Sequence, residues 1–173
     1  MNAGKLSFCI GLPRSGKSTI AKQMREKDSN LVILSGDTFR KALYDGVYNR
    51  LTEPFIFSTI DVCARALLLD GIDVIIDETC TDIRTVMRYL AIDPYATPIL
   101  VDTPEQECIR RALINKQPYL VSVIEWQAKN LAKLKPLLDK DFKEFRDLEI
   151  LRKKRDKGEP SCQPPELAQF LAD

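Results

Sequence analysis

The sequence contains no histidine. Ser-His-Asp triads, imidazole acid–base chemistry and His-ligated metals are therefore excluded together. Net charge is also scarce, because 26 Lys+Arg against 25 Asp+Glu leave only +1. A uniformly basic, nucleic-acid-coating surface is excluded, although a local basic groove is compatible with that balance. The five cysteines, Cys9, Cys63, Cys80, Cys108 and Cys162, are odd in number and contain no Cys-x-x-Cys pair. Neither a disulfide framework nor a zinc site is indicated, and the usage fits a reducing cytosol, so a cytoplasmic location is expected. There is no secretory apolar stretch at the start and no run of membrane-spanning length, so no membrane role is expected. A chain of 173 residues buries enough surface to hold together without disulfides or a structural metal.

What is present alternates regularly. Short apolar runs at Leu6–Ile10, Leu31–Leu34, Ile72–Ile76 and Pro98–Val101 read as strands. Between and after them, helical spacing covers Ser18–Lys27, Asp37–Tyr44, Phe55–Asp70, Asp82–Leu90, Pro104–Asn115 and Pro118 to about Leu134. Ser35 or Asp37 is the expected N-cap of the second helix, and Asn49–Pro54 reads as a polar break. Leu148–Leu151 suits either a helix or a fifth strand. Strands alternating with helices imply an α/β fold, a parallel β-sheet with helices on both faces in a three-layer sandwich. Residues 1–155 are expected to form this domain, and 156–173 a Pro/Gly-rich tail ending in a short helix. Ligands of such sheets bind beyond the carboxyl ends of the strands, which directs attention to Gly11–Ser18, Asp37, Asp77–Cys80 and Asp102.

The segment Gly11-Leu-Pro-Arg-Ser15-Gly16-Lys17-Ser18 has the spacing of a phosphate-binding loop, with a strand before it and a helix after it. Glycines let backbone N–H groups turn toward phosphate oxygens, a lysine supplies a charge at the β and γ phosphates, and a serine hydroxyl can ligate Mg²⁺. ATP and Mg²⁺ are thus the expected partners, with Gly11, Ser15, Gly16, Lys17, Ser18 and Thr19 around the nucleotide. Asp77 ends the run Val74-Ile-Ile and is the expected second metal-side group. Glu78 follows it, either as a solvated loop carboxylate or as the water-activating base of an ATPase.

Four segments together resemble the polynucleotide kinase-like branch of P-loop kinases, over about Leu6–Leu134. They are Gly11-Leu-Pro-Arg-Ser-Gly-Lys-Ser-Thr19, Leu34-Ser-Gly-Asp37-Thr-Phe-Arg40, Asp70-Gly-Ile-Asp-Val-Ile-Ile-Asp77-Glu78-Thr79 and Thr103-Pro-Glu-Gln-Glu-Cys-Ile-Arg110-Arg111. The resemblance implies that Asp37 is the general base on the acceptor hydroxyl and that Arg40 contacts a substrate phosphate. It also implies that Thr79 lies at the substrate and that Arg111 is the lid arginine over the transferring phosphate. Two positions depart from the family pattern. Cys80 stands where asparagine is usual, and Asn115 stands where a second lid arginine is expected, with Lys116 beside it. The stretch Arg152-Lys-Lys-Arg155 reads first as a solvated face and second as a nucleic-acid contact.

The implied activity is transfer of the γ-phosphate of ATP to a hydroxyl of a polynucleotide, either a 5′-hydroxyl end or a hydroxymethylated base. The alternatives are a kinase acting on a small molecule (a nucleoside, sugar acid or antibiotic) and, from another class, a P-loop ATPase or switch using Glu78.

Overall fold

The computed structural model describes residues 3–140. The expected tail at 156–173, the Arg152–Arg155 stretch and the ambiguous Leu148–Leu151 segment lie outside the described residues. Within them the chain runs β1 (Leu6–Ile10), α1 (Lys17–Lys27), β2 (Val32–Leu34), α2 (Gly36–Tyr44), α3 (Glu53–Leu69), β3 (Val74–Ile76), α4 (Ile83–Ile92), β4 (Thr97–Leu100), α5 (Glu105–Ile114) and α6 (Leu120–Lys140).

The four strands form one parallel sheet in the order β2-β3-β1-β4. Register sorts the side chains by face. Leu6 pairs with Val74 and Phe8 with Ile76, so these four share one side, while Ser7 and Ile75 share the other. On the first side, Leu6, Phe8, Ile10, Val74 and Ile76 pack against Ile56, Ile60 and Ala64 of α3, Val86, Tyr89 and Leu90 of α4, and Ile124 and Leu131 of α6. On the second, Cys9 and Ile75 pack against Ala21 and Leu31, beneath α1. The period-2 alternation of β1 therefore places helices on both faces, as the alternating sequence pattern predicts. Pro98 is accommodated because β4 pairs with β1 alone among the described strands, and proline is tolerated on such an edge.

Most element boundaries shift by a residue or two from the sequence expectation, and three of the differences have an identifiable reason. Helix α3 begins at Glu53, inside the expected polar break, because Pro54 occupies the first turn, where a missing N–H costs nothing. The strand expected from Ile72 starts only at Val74. Ile72 N–H donates to Leu67 O and Gly71 N–H to Leu68 O, a Schellman closure of α3 that holds Ile72 in the helix terminus. Helix α6 runs through Pro136 to Lys140 rather than stopping near Leu134. Leu134 before the proline and Leu138 after it both pack on the core, which offsets the backbone bond that proline removes. Asp82 is the N-cap of α4, its carboxylate accepting from Thr85 N–H at 3.1 Å and from the Thr85 hydroxyl at 2.8 Å.

All four strands end on the same edge. The order β3-β1-β4 sets the loop after β1 between the β3 turn and the segment following β4. No described helix is long and apolar enough to cross a membrane.

Candidate active site

The loop after β1 is held from both flanks. Gly11 N–H donates to Thr79 O on the β3 side, and the Thr103 hydroxyl donates to Ser15 O on the β4 side at 2.8 Å. A side chain at Gly11 would meet Val101 O at 2.7 Å and Ser15 Oγ at 2.9 Å, so the close approach of the two backbones requires glycine. Gly16, with φ 108°, caps α1 with no side-chain hydrogen bond, and no acidic residue occupies the first turn of that helix. The first N–H groups of α1 are thus left for an anion. Ser15 Oγ is buried without a partner. Lys17 is 8% exposed, and its ammonium donates to Leu12 O at 2.6 Å. Burial lowers its pKa, and the nearby Asp77 carboxylate acts in the opposite direction. Cys9 lies below, its thiol pushed up to about 12 by burial and then by Asp77, so it is neutral core material. An orphaned hydroxyl, an uncapped helix start and a buried ammonium suit a polyphosphate.

The second half of the site surrounds α2. Neither expected cap makes a side-chain bond. Ser35 occupies the N-cap position without one, and the N–H of Gly36 is taken by the Glu78 carboxylate at 2.5 Å. The helix is therefore capped from the β3 turn, 42 residues away. Burial pushes the Glu78 carboxyl up to about 7, against the Gly36 N–H bond and the charge of Arg40, which lower it. Asp37, relieved of capping, has a side chain 94% exposed and pairs with Arg40 at 2.7 Å. Arg40 is also gripped by Glu53 at the start of α3, with Nε–Oε1 at 2.8 Å and Nη2–Oε2 at 2.7 Å. Glu53 is buried, and its hydrogen bonds raise the pKa of the already permanent Arg40 cation. Arg40 thus stands beside Asp37, as the spacing implies, but two of its donors are committed to a carboxylate.

The third part is the lid formed by α5 and the turn before α6. Arg111 faces the phosphate loop, with Nη1 donating to Arg14 O at 3.2 Å and Ser15 O at 3.3 Å, and Nε held by Glu107 at 2.7 Å. Arg110 pairs, among the described residues, with Glu107 alone and is more exposed. The two arginines hold Glu107 well below the usual carboxylate range. Arg14 donates to Gln117 across the lid turn. Asn115, in place of a second lid arginine, bonds its own helix at Arg111 O, and Lys116 turns outward with φ 56°. Asp102 pairs with Lys135 of α6. Cys80 is buried at φ 41°, a left-handed backbone that asparagine adopts readily. That geometry explains why asparagine suits the position and shows that cysteine still occupies it.

The structure therefore gathers Gly11, Ser15, Gly16, Lys17, Ser18, Thr19, Asp37, Arg40, Asp77, Thr79 and Arg111 along one sheet edge. Sequence reasoning missed Glu53, Thr103, Glu107 and Gln117. Only Glu107 carries a local signal, its spacing of three and four residues from Arg110 and Arg111.

Residues 6–119, more than half of the chain, match the model of the AAA domain. The chain belongs to the AAA domain family. Among solved structures, this AAA domain resembles a chain of the Pnkp1/Rnl/Hen1 RNA repair complex, with 26% identity and a TM-score of 0.70. The match covers 79% of this chain and 46% of that one, so the chain spans about half the length of that neighbour. The APS kinase CysC of Mycobacterium tuberculosis, in complex with AMPPNP and APS, matches at 22% identity and TM-score 0.56, covering 67% of this chain and 74% of that one. A gluconokinase from Sinorhizobium meliloti 1021 matches at 14% and 0.52, covering 76% and 77%. No curated protein matches the chain at a significant level. The family match and the likeness to that RNA repair chain support the resemblance to a polynucleotide kinase-like P-loop kinase drawn from the sequence.

Proposed function

We propose that the protein is an ATP-dependent kinase that transfers the γ-phosphate to a hydroxyl of a polynucleotide. The observation that carries this reading is the pair Asp37–Arg40. A carboxylate with 94% exposure, not spent on capping, sits beside an arginine at the same edge of the sheet as the phosphate loop. In this reading the acceptor oxygen bonds to the γ-phosphorus as the bond to the β–γ bridging oxygen breaks. ADP leaves with that electron pair, and the hydroxyl proton passes to Asp37. Lys17, the N-terminal N–H groups of α1 and Arg111 neutralise the oxygens, and Arg40 orients Asp37 and approaches a neighbouring phosphate. Ser18 and Asp77 would hold Mg²⁺, which when bound offsets charge on the phosphates. Thr79 belongs to the acceptor side of the loop.

The test is labelled ATP offered with 5′-hydroxyl DNA and RNA, hydroxymethylated DNA, and small hydroxyl compounds. Transfer to a nucleic acid supports the proposal, and transfer only to a free nucleoside or sugar refutes it. A small-molecule acceptor is the second reading, favoured by the grip of Glu53 on Arg40, which leaves less of the guanidinium for a phosphate. The ATPase reading is weaker, because Glu78 is half-buried and engaged with the N–H of Gly36.

A further inference from the structure

Beside the β3 turn, lined in part by Glu78 and Thr79, lies a cleft of about 420 Å³. That is the size of a site for one small organic group. Its floor and walls come from the β3 turn, α3, α4 and α6. Among the described residues, three buried side-chain polar atoms have no hydrogen-bond partner. One is Ser15 Oγ in the phosphate loop, and the other two, the Tyr89 hydroxyl and Gln127 Oε1, belong to residues lining this cleft. Buried polar atoms are costly to leave unpaired, so clustering of two of them marks a place where an incoming molecule supplies the bonds.

The walls indicate which molecule. Trp126 stands at the rim, 61% exposed, beside a site otherwise walled by half-buried Phe57 and Arg88. Arg88 is already satisfied by Asp61 and stacked 4.9 Å from the Phe57 ring centroid, so it acts as wall rather than as an anion contact. Arg84 lines the cleft and has no carboxylate partner among the described residues. An exposed indole offers a stacking surface to any flat ring, and a glutamine amide matches the mixed donor and acceptor edge of a nucleobase. Beyond Trp126 the surface continues into a second groove of about 400 Å³ that shares Asp82, Arg84 and Trp126 with the first and adds Asn130 and Lys133 over an apolar floor of Ile83, Leu134 and Leu137. A sugar acid would fill one cleft and leave this groove unused. A strand has the length to use both, with a base against Trp126 and its backbone passing the cationic side chains of Arg84 and Lys133.

We infer that the β3–α4–α6 cleft is a nucleobase subsite for the acceptor strand, with Trp126 as stacking platform and Gln127 as base reader. This rests on the polynucleotide reading given above and names the residues that make the acceptor a nucleic acid.

Trp126 is the single tryptophan in the sequence, so the full chain carries its own probe. Its fluorescence, excited at the red edge, is titrated with a short 5′-hydroxyl oligonucleotide and with the same strand made abasic at the terminal nucleotide. A saturating non-hydrolysable ATP analogue is present throughout. Saturable quenching by the intact strand, at least severalfold stronger than by the abasic one, is expected. Trp126→Leu should raise the acceptor KM about tenfold, with Trp126→Phe restoring most of it, and leave the KM for ATP unchanged. Gln127→Leu should flatten the preference among the four terminal bases by a factor of several. The exposure of Trp126 means that neither replacement there touches the core, which an unchanged Tm verifies. If the oligonucleotide is phosphorylated while quenching is absent or equal for the abasic strand, the subsite is wrong and the polynucleotide reading stands. A Trp126→Leu variant that matches wild type would overturn the subsite in the same way. If no nucleic acid is phosphorylated and a small hydroxyl compound is, the underlying reading fails and the subsite falls with it.

Discussion

Around the phosphates the site is one continuous segment, residues 11–19, whose backbone does the holding. Around the acceptor it is a set of side chains drawn from α2, α3 and the β3 turn. Gly16 and the start of α1 leave N–H groups open where the strand-to-helix turn is made, and Lys17 adds a buried ammonium from within the same segment. On the other side, the position of Asp37 depends on Arg40, that of Arg40 on Glu53, and the start of α2 on Glu78. Backbone geometry survives most substitutions, whereas a relay of charged side chains fails at any link. The donor half should therefore be sensitive at one residue and tolerant elsewhere, and the acceptor half should lose function in graded steps.

The largest effect is expected at the buried lysine of the phosphate loop. Lys17→Ala should lower the transfer rate by about 10²–10³-fold and weaken triphosphate binding. Calorimetry with an ATP analogue and Mg²⁺ reads the second part, and wild-type affinity together with wild-type activity would remove the phosphate-loop assignment. Next comes Asp37→Asn, expected to reduce kcat about 10²-fold with ATP affinity intact. Because Asp37 caps nothing and is exposed, Tm should hold, and a variant that melts early but works normally when folded would mark Asp37 as structural.

The relay itself is tested by Glu53→Gln. Loss of that carboxylate frees Arg40, both partners being largely buried, and should cost on the order of 2 kcal/mol of stability. The acceptor KM should rise about tenfold while the KM for ATP stays put. An equal rise for ATP would show that the two halves are not separate. The smallest effect is expected at the lid. Glu107→Gln removes the brace on Arg111, but Arg111 keeps its contacts to Arg14 O and Ser15 O. A decrease in kcat of about threefold is expected, in steady-state assays at low salt, where such exposed pairs matter most.

The sequence by itself determined whatever is written in consecutive residues or in a fixed period. The phosphate loop, the four strands and helices on both faces follow from spacing, because each depends on contacts within a turn or on alternation along one strand. The side-by-side placement of Asp37 and Arg40 follows in the same way, from three-residue spacing on a helix. Tertiary structure alone decided what those groups touch. Glu53 meets Arg40 from 13 residues away, Glu78 caps Gly36 from 42, and Gln117 reaches Arg14 from 103. No spacing rule links residues so far apart, since the strand order β2-β3-β1-β4 brings their elements together. The same holds for Trp126, Gln127 and Tyr89. On their own helices they read as an exposed aromatic, a polar residue and a core ring, and they meet only because α6 packs over the sheet face that α4 covers.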